Sequence, residues 1–415
     1  MLHRLEIENF YSIRDPQIID LRAAGNVPHE PWRLSPAWPG ASERVPKVVA
    51  LFGANASGKS NVLRALTFLS WFVADSGLAH PEDPMPFEPF YDDAAKDMPT
   101  RLAVYFAGPA QPDQSQRGTS GWSPSYVEGP LCRYMYEVSF GGPPGTPRQV
   151  LGETLRYWPP DAGRQVRLFE RDHNGTVRAG RKFSLTGDHR REVESALRPN
   201  ASVVSFLWSR RHLLSEYLYH VLGRDNYNIF TEKFESDDTF IANYYWRHQG
   251  HLKKLNDQIQ RIDLGVREMR LRGSGGNPTA WFDHVGLTEP VPVKLESHGT
   301  RQFVRIFPHI VRALENGCLA VVDELDLSIH PLVLPEILRW FHDPEQNPEN
   351  AQLWMTCQNA SLLEDLSKEE VLFCEKDRRG RTKVYGLSDI QAVRRRDNYY
   401  RQYLSGVYGA IPRLG

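Results

Sequence analysis

The sequence predicts an α/β fold built around a parallel sheet, and three observations predict it. Val48-Val49-Ala50-Leu51-Phe52 is continuously apolar and runs straight into a glycine-rich turn, behind which Val62, Leu66, Leu69 and Val73 recur at helical spacing. A second apolar run, Cys318-Leu319-Ala320-Val321-Val322, ends on the acidic pair Asp323-Glu324. Two further runs, Leu353-Trp354-Met355-Thr356 and Val371-Leu372-Phe373-Cys374, alternate with helical patterns. A strand covered on both faces reads as an unbroken apolar run, and strands alternating with helices imply parallel connections.

Composition bounds the rest. With 415 residues, 40% apolar and 24% charged, the chain is long enough for one large or two ordinary domains and a sizeable core. A formal charge of -1 gives no reason to expect nucleic acid or an anionic membrane as an obligatory partner. Cys132, Cys318, Cys357 and Cys374 stand apart, without metal-ligand spacing, and read as buried apolar groups in a reducing compartment. No window approaches the roughly 18 apolar residues of a membrane span, and Met1-Leu2-His3-Arg4-Leu5-Glu6 lacks the apolar stretch of a signal peptide. A cytoplasmic protein without membrane contact is expected.

Along the chain, Leu5, Ile7 and Phe10, then Ile18, Ile19 and Leu21 beyond a turn at Asp15-Pro16, predict a hairpin. A Pro/Gly-rich loop is expected from about Ala23 to Pro46, and long loops from about Ser76 to Ser125 around one strand at Arg101 to Phe106. Strands at Arg133 to Phe140, Glu153 to Trp158 and Arg167 to Arg171 suggest an antiparallel sheet beside the glycine turn. From about Glu192 to Arg261 the pattern is mainly helical, and Leu252, Leu255, Ile259 and Ile262 make a short seam that reads as core packing. Phe303, Ile306, Phe307, Ile310, Val311 and Leu314 form a helical stripe from Thr300 to Glu315, stopped by Gly317. Pro331 is placed to begin another helix with Leu334, Ile337, Leu338 and Phe341 inward. These divisions suggest an amino-terminal lobe over residues 1–190, a mainly helical insertion over 191–290 and a carboxy-terminal lobe over 291–415.

The chemistry concentrates in few residues. Gly53-Ala54-Asn55-Ala56-Ser57-Gly58-Lys59-Ser60 fits GxxxxGK[ST] between a strand and a helix. There the glycines let backbone N–H groups curl around phosphates, the helix N-terminus adds partial positive charge, Lys59 reaches the β- and γ-phosphates, and Ser60 binds magnesium. Asn61 completes the contacting set. Asp323 and Glu324 lie at the carboxyl end of a strand, where ligands bind in open α/β sheets. Asp323 reads as the magnesium carboxylate and Glu324 as the general base that polarises the attacking water. Ser297, Gly299 and Thr300 stand before the amphipathic helix, as an anion site at its N-terminus or as a plain helix cap.

Asn55 inside the loop, Ser297-His298-Gly299-Thr300 before a helix, the Asp323-Glu324 pair and the following Ile329-His330-Pro331 resemble the ABC-type ATPase heads, within the AAA family, shared by SMC, RecF and overcoming-lysogenization-defect proteins. The resemblance covers about residues 1 to 75 and 290 to 390. It implies a P-loop NTPase head with a mixed sheet, an antiparallel β subdomain and a mainly helical insertion, using ATP and Mg2+ as a homodimer or higher homo-oligomer. By the same resemblance Ser297, Gly299 and Thr300 act in trans on the γ-phosphate of a partner head, and Asp326 begins the segment that communicates between heads. Where that class places a histidine, this chain has Thr356-Cys357-Gln358-Asn359. Gln358 donates a hydrogen bond but carries no charge, which implies slow hydrolysis or ATP used as a dimer lock.

Asn9-Phe10-Tyr11-Ser12-Ile13-Arg14 and Tyr403-Leu404-Ser405-Gly406-Val407-Tyr408-Gly409-Ala410-Ile411-Pro412 look like the defence ATPases of the RloA and abortive-infection AbiL type, relatives of the ATPase in the PARIS system. That resemblance implies an anti-phage sensor and scaffold controlling a separate, nuclease-like effector from a neighbouring gene. The alternative for the tail is a docking segment for the head itself. Only about fifty-five residues follow Gln358, too few for the nuclease domain of overcoming-lysogenization-defect proteins. Glu375 and Asp377, beside Gly380, read as a charged hairpin turn and not a metal site. A RecF-like DNA clamp is the other reading; it requires a basic stripe, and Arg394-Arg395-Arg396 is the one compact basic cluster in sight. A transporter subunit is disfavoured by the missing LSGGQ.

Overall fold

The protein is described here by a computed structural model over residues 1–80, 82–112, 130–142, 148–222, 226–227, 238–262, 265–273, 278–327, 329 and 331–412. His330 and the side chain of Ile262, both named above, lie outside the described residues, as does the stretch 113–125 expected to be loop.

The central sheet is mixed. Its strands run in the order Asn226–Tyr227, Leu319–Val322, Gln352–Thr356, Val48–Phe52, Val371–Lys376 and Thr382–Gly386. The first five pair in parallel and the last is antiparallel. Every residue of Val48–Phe52 is buried. Val49 and Leu51 enter one core with the helix Lys59–Ala74, whereas Val48, Ala50 and Phe52 enter a second core with the helices His298–Asn316 and Leu334–His342. With side chains alternating across a strand and both faces covered, no position is left for a polar residue.

Against the first core lies a wholly antiparallel sheet of seven strands, ordered Val177–Ala179, Val166–Arg171, Gln149–Trp158, Leu131–Gly141, Thr100–Pro109, Leu2–Glu8 and Gln17–Asp20. The predicted strands from residue 101 to 171 are all present, each extended by one or more residues. The predicted amino-terminal hairpin forms its far edge, with Leu5 opposite Ile19.

The structure departs from expectation at two points and adds a small sheet where the sequence assigns none. The stretch 23–46 contains a small hairpin, Leu34–Pro36 with Arg44–Pro46, whose three-residue strands are too short to show a period. Beyond the helix Gln249–Ile262, in which Leu255 and Ile259 are buried, the chain forms a three-stranded antiparallel sheet, Val266–Arg272, Thr279–His284 and Val291–Pro292. Four of the seven residues of Val266–Arg272 are charged, so its apolar face is thin and gives no strand signal. Pro331 does not open a helix; the helix begins at Leu334 with a proline in its first turn, although Leu334, Ile337, Leu338 and Phe341 do face inward.

The helix His298–Asn316 shows why pattern outweighs punctuation. It holds Pro308 in its interior, where the missing N–H orphans the carbonyl four residues earlier. That carbonyl belongs to Val304, and the buried Tyr245 hydroxyl donates to it at 2.9 Å. The buried stripe Phe303, Ile306, Phe307, Ile310, Val311 and Leu314 therefore continues through the proline, and Gly317, left-handed at φ 63°, ends the helix. Replacing Tyr245 by Phe keeps the ring but leaves the Val304 carbonyl bare. Denaturant unfolding should show a loss of about 1–3 kcal/mol.

Candidate nucleotide site

The register of three neighbouring strands builds the site. Val322 lies opposite Met355, and Thr356 opposite Leu51, so Asp323, Thr356 and Gly53 emerge together at the carboxyl edge of the sheet. Asp323 Oδ1 accepts from Ser60 Oγ at 3.0 Å and from Thr356 Oγ1 at 2.5 Å. Thr356 Oγ1 in turn accepts the Glu324 backbone N–H at 2.7 Å. Glu324 sits at φ 51°, a left-handed conformation that a residue with a side chain adopts at a cost of about 1–2 kcal/mol and that clusters at functional sites. Thr356 stands two residues before Gln358, and its sequence neighbours indicate no role for it, because its hydrogen bonds depend on which strand lies beside it.

The phosphate loop is bent by three left-handed residues, Gly53 at φ 148°, Ala56 at φ 61° and Gly58 at φ 102°. Both glycines are also required by space. A Cβ on Gly53 would stand 2.3 Å from the Cys374 carbonyl oxygen, and one on Gly58 2.1 Å from Thr382 Oγ1. Thr382 Oγ1 donates to the Ser57 carbonyl at 2.9 Å and meets Ser12 Oγ at 2.7 Å, while Asn61 Nδ2 donates to Ser12 Oγ at 2.7 Å. Asn61 thus ties the amino-terminal hairpin to the start of the helix. Ser12 and Thr382 were not singled out as site residues, being far apart in sequence and ordinary in type.

Lys59 Nζ folds back onto the carbonyls of Gly53 and Ala54, at 2.8 and 3.0 Å. Burial lowers the affinity of its amine for a proton, and the negative groups around it oppose that shift. The Cys374 thiol behind the loop is pushed up to about 12 by burial and is neutral, so the opposing charge comes from Asp323, Asp326 and Glu324. Ser57 Oγ is buried in the loop and has no hydrogen-bond partner among the described residues. An amide-lined loop with two left-handed glycines, an orphaned hydroxyl and a lysine fits a polyphosphate, and the Ser60 hydroxyl and Asp323 carboxylate are oxygen donors of the kind magnesium takes.

Gln358 is exposed and shares a cavity of about 810 Å³ with Gly53, Ala54, Asn55, Ala56 and Ser57. Its backbone N–H and that of Asn359 donate to Asp326 Oδ2 at 2.8 and 2.6 Å, so this Asp326 oxygen serves its own chain. Ser297 caps its helix, its hydroxyl accepting the Thr300 N–H at 3.0 Å and meeting the Thr300 hydroxyl at 2.8 Å. Ser297, Gly299 and Thr300 are not among the residues lining the cavity at the loop. All four cysteines are buried, and among the described residues no group of His, Cys, Asp and Glu has the arrangement of a metal cluster. Asp377 accepts from the Arg379 and Arg381 N–H groups in a turn closed by Gly380 at φ 78°, as the hairpin reading required.

A family model described as "AAA domain, putative AbiEii toxin, Type IV TA system" matches residues 48–98 and 147–364. The chain belongs to this AAA family. The match takes in the phosphate loop, the Ser297 cap, Asp323-Glu324 and Gln358. No curated protein matches the sequence. Among solved structures, an SMC head bound to the C-terminal winged-helix domain of ScpA is 13% identical, covers 93% of this chain and 97% of its own, and has a TM-score of 0.46. The SMC head of Thermotoga maritima is 13% identical, with 93% and 98% covered and a TM-score of 0.41. At such scores the fold assignment rests on the strand order and loop described above. No described helix is long and apolar enough to cross a membrane.

Thr356→Val keeps the shape of the strand end and removes the hydroxyl that joins Asp323 to the Glu324 backbone. Titration calorimetry with ATP, with and without magnesium, should show the magnesium-dependent part of the affinity falling about tenfold.

Proposed function

We propose that the protein binds and hydrolyses ATP with magnesium. The observation that carries this reading is the joining of Ser60 and Thr356 through the Asp323 carboxylate, with the Glu324 backbone held on the same Thr356 hydroxyl, at the mouth of a loop shaped for phosphates. Magnesium, when bound, neutralises charge on the β- and γ-phosphate oxygens; Ser60 and Asp323 would hold it. Lys59, released from the Gly53 and Ala54 carbonyls, turns to the same oxygens. Glu324 takes the proton of the attacking water, and its strained backbone, held by Thr356, aims the carboxylate. Gln358, on the cavity shared with the loop, donates a hydrogen bond to the terminal phosphate without adding charge.

In this reading the protein is a cytoplasmic switch in anti-phage defence of the RloA and AbiL type. Two or more heads close on ATP, with Ser297, Gly299 and Thr300 of each capping the nucleotide of the next, and the ATP state governs a separate effector. Support comes from the family, whose description names a toxin system, and from the exposed Ser297 cap, which leaves a helix N-terminus facing outward. Charge weighs against a DNA clamp, since Arg395 is paired with Glu30 and Glu369.

Phosphate-release assays should show Glu324→Gln reducing turnover by about 10²–10⁴-fold while ATP is retained, and Lys59→Ala abolishing binding. Gln358→His should raise turnover; an unchanged rate removes Gln358 from the chemistry. Expression from the native operon should bring down an effector protein with the wild-type chain. Recovery of DNA with no protein partner would overturn the effector role.

A further inference from the structure

The segment 403–412 stands out in the sequence but has no part in the site so far, and the structure places it against the phosphate loop. The helix Tyr399–Leu404 docks by Tyr403, whose ring stacks on Phe373 at 5.4 Å and 9°. The chain then turns back through Gly406, at φ 79°, and Gly409, at φ 69°. Tyr408 packs 5.9 Å from the same Phe373 ring, and its carbonyl accepts the Tyr385 hydroxyl at 2.8 Å. Ala410 follows at φ 56°, a left-handed residue that is not glycine. Its carbonyl oxygen accepts two hydrogen bonds, one from the Ala54 N–H at 3.0 Å and one from the Tyr403 hydroxyl at 3.2 Å.

Ala54 is the first residue of the phosphate loop after Gly53. A Cβ on Gly53 would collide with the Cys374 carbonyl, so the start of the loop lies close against the strand Val371–Lys376 and is hydrogen-bonded to Ala410. Tyr403, Leu404, Ala410, Ile411 and Pro412 also wall the cavity that the loop and Gln358 share. A simple docking segment would need only the aromatic stack. Strain at Ala410 is maintained where the surroundings over-determine it, and its effect is to aim a carbonyl at the loop.

We propose that residues 403–412 are a brace for the phosphate loop, with Ala410 as a positioning residue whose carbonyl fixes the Ala54 amide and so sets how tightly the loop holds a nucleoside triphosphate. The inference rests on the ATP reading for its ligand. A backbone amide ring binds phosphate in proportion to its preorganisation, and a loop tethered at its first amide loses less freedom on binding. Through the same brace, a partner that displaces the segment lowers the hold on ATP, and ATP strengthens the seating of the segment by the same factor.

Two substitutions loosen the brace without touching the loop. Gly409→Val puts a branched side chain at positive φ, where its Cβ would stand 2.8 Å from the Tyr385 hydroxyl. Tyr403→Phe keeps the ring stacked on Phe373 and removes only the hydroxyl that holds Ala410. Val407→Ser, at an exposed position on the same segment, is the control. Hydrogen exchange of the Ala54 amide and ATP affinity by calorimetry are read on each full-length protein well below its melting temperature. Faster Ala54 exchange and about tenfold weaker ATP binding are expected in Gly409→Val, with a smaller change of both in Tyr403→Phe and none in the control. A folded Gly409→Val, or Tyr403→Phe if the former does not fold, with unchanged Ala54 exchange or unchanged ATP affinity would overturn the brace. A wild-type chain that binds no ATP would sink the nucleotide reading instead, and Ala54 exchange alone would then decide whether the segment holds the loop.

Discussion

The Asp323 carboxylate is the point on which the structure turns. Its Oδ1 accepts from a hydroxyl at the start of the first helix and from another at the end of a neighbouring strand, in sequence 263 and 33 residues away. Charge-assisted bonds of this kind are roughly twice as strong as neutral ones. They also fix direction, because both donors are carried on elements that packing has already immobilised. Ser60 belongs to a helix whose Val62, Leu63 and Leu66 are buried, and Thr356 to a strand buried throughout. The carboxylate therefore needs no further support to stand beside the loop.

The loop is the converse case, a segment with little internal stability that its neighbours define. Three left-handed residues in eight would not persist in an isolated peptide. Here Thr382 holds the Ser57 carbonyl, Cys374 limits Gly53, and Ala410 takes the Ala54 amide. All three come from the last quarter of the chain, wrapped around a loop in its first quarter. Lys59 lies on the neutral carbonyls of Gly53 and Ala54, acceptors that a charged phosphate oxygen outcompetes.

The two cores on either side of the central sheet have different characters. One is closed by the antiparallel sheet and contains a cluster of Phe10, Phe68, Phe72, Phe87 and Phe140 with centroids 4.8 to 6.1 Å apart. The other is closed by helices and ends at the Ser297 cap, where His284 Nε2 meets Glu296 Oε1 at 2.6 Å and ties the small three-stranded sheet to the start of the long helix. The cap is thus referenced to the sheet through a hydrogen-bonded side chain as well as through the helix it begins.

What the residue order determined by itself was whatever depends on local chemistry. Apolar runs specify strands buried on both faces, a 3.6-residue stripe specifies a helix even through Pro308, and GxxxxGKS specifies a turn that only glycine-bearing backbone can make. The phosphate loop, the acidic pair and the antiparallel strands were legible for that reason. The tertiary structure alone decided which strand lies beside which, and with it the role of Thr356, the convergence of Ser12, Asn61 and Thr382, and the placement of Ala410 on Ala54. Those groups are a common hydroxyl, amide or carbonyl in sequence, distinguished by nothing until long-range strand pairing brings them within 3.0 Å of the loop or the carboxylate. Hydrogen bonds act over a single atomic contact, so their partners are fixed by register and packing, which no local pattern encodes.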